Sequence, residues 1–184
     1  MGWTGIRIPE EYDGLGLGHL ELCVVAEELG RALAPVPFSS SVYLFTETII
    51  KYASEDIKKE ILPKLVSGEC VGTLAVTEDL LAPTEDNISV TSINDEVSGK
   101  KIAVPDAGVA THAVVVCTGA NGIELRLVEL NQENCISTNQ DNIDESRGHF
   151  SLDFNKAKSQ LIGEAGNLSL IHISEPTRRT PISY

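Results

Sequence analysis

The run Gly14-Leu15-Gly16-Leu17-Gly18 is the first pattern in the chain with chemical potential, because glycines ahead of a helix let backbone approach a pyrophosphate. A dinucleotide loop needs GxGxxG between a strand and a helix. Here His19 occupies the next position and the preceding PEEYD does not read as a strand. The run therefore reads as a flexible helix entry. His19, His112 and His149 are isolated, with no HExxH and no Ser/His/Asp spacing around them, and read as surface or satisfied histidines. Cys23, Cys70, Cys117 and Cys135 are widely spaced, with no CxxC pair and no nearby histidine ligands. That pattern argues against zinc and against a disulfide scaffold. They read as reduced, mostly buried thiols, which points to a reducing, cytoplasmic setting. No metal ligand set is expected. Glu27-Glu28 and the acidic run from Asp141 to Glu145 read as solvated faces.

The elements that position any site fall into two blocks. Residues 1–18 read as a loop-rich entry. From His19 to Ala34 the apolar period is helical, with Leu22, Val25, Ala26, Leu29 and Leu33 as one stripe, and Pro35 and Pro37 stop it. Ser39, Ser40 and Ser41 offer N-caps for a second helix that carries Val42, Phe45, Ile49 and Ala53 on one face. Ser54 caps a third, with Glu55 and Asp56 at its positive end, Pro63 in its last turn and Gly68 beyond it. Near Cys70 the period changes. VGTLAVT, ISVTSI, EVSGKKIAV, THAVVVCTG, GIELRLVEL, ENCIST and HFSLDFN are short strands separated by Gly, Asn and Asp. The fold class is therefore α+β: an N-terminal α-helical domain followed by an antiparallel β-barrel or sandwich. The expected boundaries are 1–68 for the helical part, 69–167 for the β-domain and 168–184 for a foreign tail.

The chain has 184 residues and a net charge of -13, and only 5% of its residues are aromatic. An acidic surface with few stacking rings disfavours nucleic acid and anionic membranes as partners. No apolar run approaches the roughly 20 residues of a membrane span, and no leader peptide opens the chain. The tail LSLIHISEPTRRTPISY resembles the translation of a transposase-type sequencing adapter, with LSLIHISEPTR and ISY flanking an index of three residues. On that reading the natural protein continued past Asn167.

Composition and spacing reach no further than a helical plus β chain; a resemblance carries function. GWTGIRIPEEYDGLGLGHLELCVVAEELGRALAPVPF resembles the N-terminal helical domain of the acyl-CoA dehydrogenase family. SEDIKKEILPKLVSGECVGTLAVTE is similar to that family's next helix and the first strand of its middle β-domain. SGKKIAVPDAGVATHAVVVC resembles its later strand pair, and LIGEAGN the segment before its C-terminal helical domain. The resemblance implies an FAD flavoprotein that oxidises an acyl-CoA thioester to the trans-2-enoyl-CoA, with electron-transfer flavoprotein as acceptor and a homo- or hetero-oligomeric parent. It implies flavin contacts from Leu74, Val76 and Thr77, Thr77 foremost through its hydroxyl and N–H, and weaker backbone contacts from Val104 and Pro105.

Four departures accompany it. The family's TEP-AGSD loop is TEDLLAPTEDN here, so no substrate residue carries over. Its Trp-Ile-Thr run aligns with Ala103, Val104 and Pro105. Its catalytic glutamate belongs to a C-terminal domain that the chain lacks, so no catalytic residue is expected within it, and Met1-Gly2-Trp3 aligns past the family's first helices. The expectation is an inactive fragment of the dehydrogenase, truncated at both ends. The alternatives are a fragment of a non-catalytic partner subunit in a heteromeric dehydrogenase and, more distantly, a β-barrel binding module.

Overall fold

The computed structural model describes residues 2–81, 83–84, 87–144 and 146–163. The 168–184 tail lies outside the described residues, as do residues 164–167 of the LIGEAGN segment. Helix α1 spans His19–Arg31, α2 Thr46–Tyr52 and α3 Glu55–Ser67. Ser54 accepts a hydrogen bond from the Ile57 amide, and Gly68 closes α3 in the left-handed conformation at φ 82°, as a capped helix ending on glycine requires. Pro63 sits inside α3, which runs on to Ser67.

Two local expectations are corrected. Helix α1 stops at Arg31, and Leu33, at φ 47°, is exposed rather than part of the buried stripe. Leu22 alone in that stripe is fully buried, while Val25 and Leu29 are half-buried and Ala26 is exposed. The serines do not cap a helix, because they lie inside a π-helical segment, Phe38–Phe45, that leads straight into α2. Their hydroxyls reach out to the β-domain instead. Ser41 Oγ accepts from the Gly72 amide at 3.0 Å, and Ser40 Oγ donates to Asp106 at 2.5 Å. The expected apolar face survives, with Val42, Phe45, Ile49 and Ala53 all buried.

Among the described residues seven strands follow: β1 Gly72–Ala75, β2 Thr91–Ile93, β3 Glu96–Pro105, β4 His112–Gly119, β5 Gly122–Glu129, β6 Cys135–Gln140 and β7 His149–Ile162. Their pairings close a circuit through β4, β2, β3, β7 and β5 back to β4, the barrel-like sheet that strand spacing predicts. Most pairs are antiparallel. Strand β4 differs: along one edge it pairs in parallel with β1 and, at Thr118, with β2. The long β7 pairs with β6 along its first half and with β5 along its second, turning at Lys156 (φ 55°).

Strand β4 is buried on both faces, which explains its unbroken AVVVC run. Val114 and Val116 face the helices with Phe45, Ile49, Ile61 and Leu65, while Ala113, Val115 and Cys117 face the barrel interior with Val97, Val104 and Leu152. The helical layer thus packs directly on the barrel. Gly72 marks the tightest approach: a Cβ there would stand 2.1 Å from the Phe45 ring, so only glycine lets β1 start beneath that ring.

Candidate functional site

Strand β1 brings the sequence-derived positions to one end of the barrel. Alternation along an extended chain turns Leu74 and Val76 to the helical side and Thr73, Ala75 and Thr77 to the other. Leu74 is buried in the helix–barrel core and Val76, half-buried, packs at its edge. Beyond Ala75 the strand leaves the β4 ladder and leans on β3. The Thr77 carbonyl accepts from the Ile102 amide at 2.8 Å, and the Thr73 hydroxyl donates to the Pro105 carbonyl at 2.6 Å. These bonds lay β1 alongside β3, joining the two sequence segments that carry the candidate residues. Thr77 is half-buried. Among the described residues its hydroxyl and amide, and the amide of Val76, donate to no protein group.

Strand β3 is less regular. Its register with β7 shifts between Lys101 and Val104, and Ala103 takes a left-handed φ of 52°. A non-glycine residue there is uncommon, and a bulge is one place that accommodates it. Ala103 is exposed, and its amide donates to Gln140 Oε1 at 2.8 Å. Val104 turns inward and is 1% exposed. Pro105 has no amide hydrogen, and its carbonyl is taken by Thr73. The bulge therefore parts the five positions. Thr77 retains open donors, while Leu74 and Val104 serve the core.

A buried ion pair that sequence reasoning missed stands beside Thr77. Lys101 is fully buried, and its ammonium donates to Glu78 Oε1 at 2.6 Å and to the Val76 carbonyl at 2.9 Å. Glu78 also accepts from the Ser89 amide and hydroxyl and the Val90 amide. Burial alone would push the Glu78 carboxyl up, but hydrogen bonds from Lys101 and Ser89 outweigh it and hold the group below the usual carboxylate range. For Lys101 burial wins over the attraction of Glu78, and the ammonium sits below its ordinary value. In sequence Lys100-Lys101 falls inside the EVSGKKIAV strand. The available clue was position, since Lys101 lies three residues from Val104, on the far side of a bulge that puts both inward.

Among the described residues no histidine or cysteine side chain hydrogen-bonds to Thr77, Glu78 or Lys101. His112 Nδ1 lies 2.9 Å from Thr111 Oγ1 and 3.4 Å from Cys70 Sγ, and burial lowers its proton affinity. The four cysteines are free thiols, but Cys23 is exposed rather than buried. Burial pushes Cys117 up to about 12 and Cys135 up to about 11, so both stay protonated and unreactive near neutral pH.

Residues 1–69 match the family model for the acyl-CoA dehydrogenase N-terminal domain. The chain is 43% identical over 76 residues to the mitochondrial isovaleryl-CoA dehydrogenase of Solanum tuberosum, an alignment covering 40% of this chain and 18% of that protein. It superposes on the acyl-CoA dehydrogenase of Geobacillus kaustophilus with a TM-score of 0.79 at 27% identity, covering 90% of this chain and 48% of that one. For a glutaryl-CoA dehydrogenase in complex with glutaryl-CoA the values are 0.77 and 26%, over 90% of this chain and 46% of that one. The chain thus spans about half the length of those solved structures and shares their fold across that span, and its first 69 residues match the acyl-CoA dehydrogenase N-terminal domain.

Proposed function

We propose that this chain is the flavin-edge portion of an FAD-dependent acyl-CoA dehydrogenase, divided at residue 69 into a helical part and a β-domain, with residues 168–184 foreign to it. The observation that carries the proposal is the set of unspent donors at the end of β1: the amides of Val76 and Thr77 and the Thr77 hydroxyl. Three donors at one half-buried strand end suit the carbonyl- and nitrogen-rich pyrimidine edge of an isoalloxazine. When bound, FAD would accept the hydride lost by an acyl-CoA substrate. Thr77 would hold and orient that edge, and the β1–β3 contact would keep water from behind it. Val104 and Pro105 would contribute backbone shape alone. Electron-transfer flavoprotein as acceptor and a homo- or hetero-oligomeric parent belong to the same proposal, as does a reducing compartment. The mitochondrial relative from Solanum leaves the compartment no finer than that. Among the described residues no helix is long and apolar enough to cross a membrane.

The test is spectroscopic. The protein expressed from its complete reading frame should purify yellow or take up added FAD. Thr77→Ala should weaken FAD binding by about tenfold, the equivalent of one hydrogen bond at roughly 1.4 kcal/mol. A colourless product that ignores FAD sinks the proposal.

One observation favours a second reading, a non-catalytic partner subunit of a heteromeric dehydrogenase. Where the family's flavin strand carries Trp, this chain has an exposed Ala103 whose amide is already engaged by Gln140. A glutamate at the base position of the complete reading frame, with turnover of acyl-CoA, would decide for the enzyme.

A further inference from the structure

We infer that Lys101 is a positioning residue for the Thr77 amide, acting through the peptide unit that joins Val76 to Thr77; the inference rests on the flavin reading above. The geometry is specific. The Lys101 ammonium donates to the Val76 carbonyl at 2.9 Å. That carbonyl and the Thr77 N–H are the two ends of one peptide group, which is planar and trans, so they point in opposite directions. Pinning the oxygen from inside the barrel therefore aims the N–H outward, away from Lys101. A cation on the carbonyl also draws electron density along the peptide. It makes the N–H a stronger donor, and more so where the dielectric is low. Lys101 is itself held: it is wholly buried, and Glu78 grips it at 2.6 Å. Glu78 is fixed in turn by the Ser89 amide and hydroxyl and the Val90 amide, from the loop ahead of β2. The chain of contacts runs from that loop to Glu78, to Lys101, to the Val76 carbonyl, and ends on the open Thr77 N–H.

A strengthened donor at the flavin edge favours the reduced, more electron-rich ring over the oxidised one. Removing the Lys101 charge should therefore lower the flavin midpoint potential as well as the affinity. A residue that merely supports the fold would not move the potential.

The experiment uses protein from the complete reading frame in three forms: wild type, Glu78→Gln/Lys101→Met and Lys101→Gln. The double variant removes both charges and leaves no buried ion unpaired. The single variant keeps a side-chain N–H donor without the charge. FAD affinity is read by absorbance titration, the potential by dye equilibration, and folding by circular dichroism of the FAD-free protein. The double variant should bind FAD about tenfold more weakly. A tenfold loss in preference for reduced over oxidised flavin would appear as a potential lower by about 30 mV. Lys101→Gln should recover part of the affinity while its potential stays low. A folded double variant with unchanged affinity and potential overturns the inference and leaves the flavin reading standing. A wild-type protein that binds no FAD overturns the reading and the inference together. Should neither variant fold, amide exchange in the wild type decides. FAD must slow exchange at Thr77, and an unchanged rate there overturns the inference.

Discussion

The barrel holds two charged clusters that differ in what surrounds them. Lys101 and Glu78 join β3 to the end of β1, with Lys101 fully buried and Glu78, among the described residues, its only acidic partner. Arg126 and Glu124 both sit on β5, with Glu124 accepting from Arg126 Nε at 2.9 Å and Nη2 at 2.8 Å. Arg126 also donates to Asp95, which is 77% exposed, at 2.6 Å. The first cluster is a long-range tie between elements that meet nowhere else in a regular ladder. The second pairs two neighbours on one strand and adds a carboxylate from the β2–β3 turn, so it is doubled at the guanidinium and open to water on one side. An ammonium is a compact charge with one carboxylate to satisfy it here, whereas a guanidinium forks to two. The difference teaches that burial of a charge has different consequences depending on how many partners remain when one is lost.

Glu78→Ala tests the comparison hardest. It strands the Lys101 ammonium at zero exposure, and an uncompensated buried charge costs about 3–5 kcal/mol. Urea denaturation should show a loss of that order, and the end of β1 should detach from β3. A cost below about 1 kcal/mol would mean that Lys101 finds water or deprotonates on its own. The same pair gives an acid signature. The Glu78 carboxyl is held below its ordinary value of 4.5 in the folded chain, so its contribution to stability is present above that pH. It is lost as pH falls through the lowered folded-state value. Glu78→Gln should flatten that part of the stability–pH curve, measured by thermal melts between pH 6 and the acid limit of about 3.

Glu124→Ala ranks next. Arg126 would lose two donated bonds but keep Asp95. Hydrogen bonds to charged groups contribute roughly 1.5–3 kcal/mol each before relaxation. A loss of about 2 kcal/mol in the same urea assay is expected, smaller than for Glu78→Ala. Equal losses for the two variants would erase the distinction between them.

Much of the fold was legible because local signals and packing agreed. The Ser54 cap, the Gly68 stop and the Val42-Phe45-Ile49-Ala53 face each follow from rules that span a few residues. The same holds for the Asn94-Asp95 turn, where both residues have positive φ between β2 and β3. What stayed hidden depends on distant partners. The serines at 39–41 carry a capping signal, but Ser40 and Ser41 spend their hydroxyls on Asp106 and Gly72, at least 31 residues away. The parallel β1–β4 pairing joins Gly72 to His112 across 40 residues, and no local pattern encodes it. At the site, Thr77 was reached through resemblance alone, and its open donors could be seen only once β1 was laid against β3. Lys101 was missed because two adjacent lysines in an alternating strand look solvated. The bulge at Ala103, which breaks that alternation, is invisible in composition.

Asp95→Asn, which removes the charge at a residue of positive φ that asparagine tolerates, should have the smallest effect, and it constrains the contrast from the other side. Its carboxylate accepts from Arg126 at 2.6 Å, as short a contact as Glu78 makes with Lys101. If distance alone set the strength of an ion pair, the two losses would match. But Asp95 is mostly in water, where attraction is screened and desolvation is slight, and exposed pairs contribute about 0–1 kcal/mol. Its backbone carbonyl, which accepts from the Ser159 amide and hydroxyl, is untouched by the substitution. The expected loss is therefore about 0.5 kcal/mol, and it should shrink further in 1 M salt while the Glu78→Ala loss persists. A Glu78→Ala loss equally sensitive to salt would place Lys101 in contact with solvent and remove the contrast between the clusters.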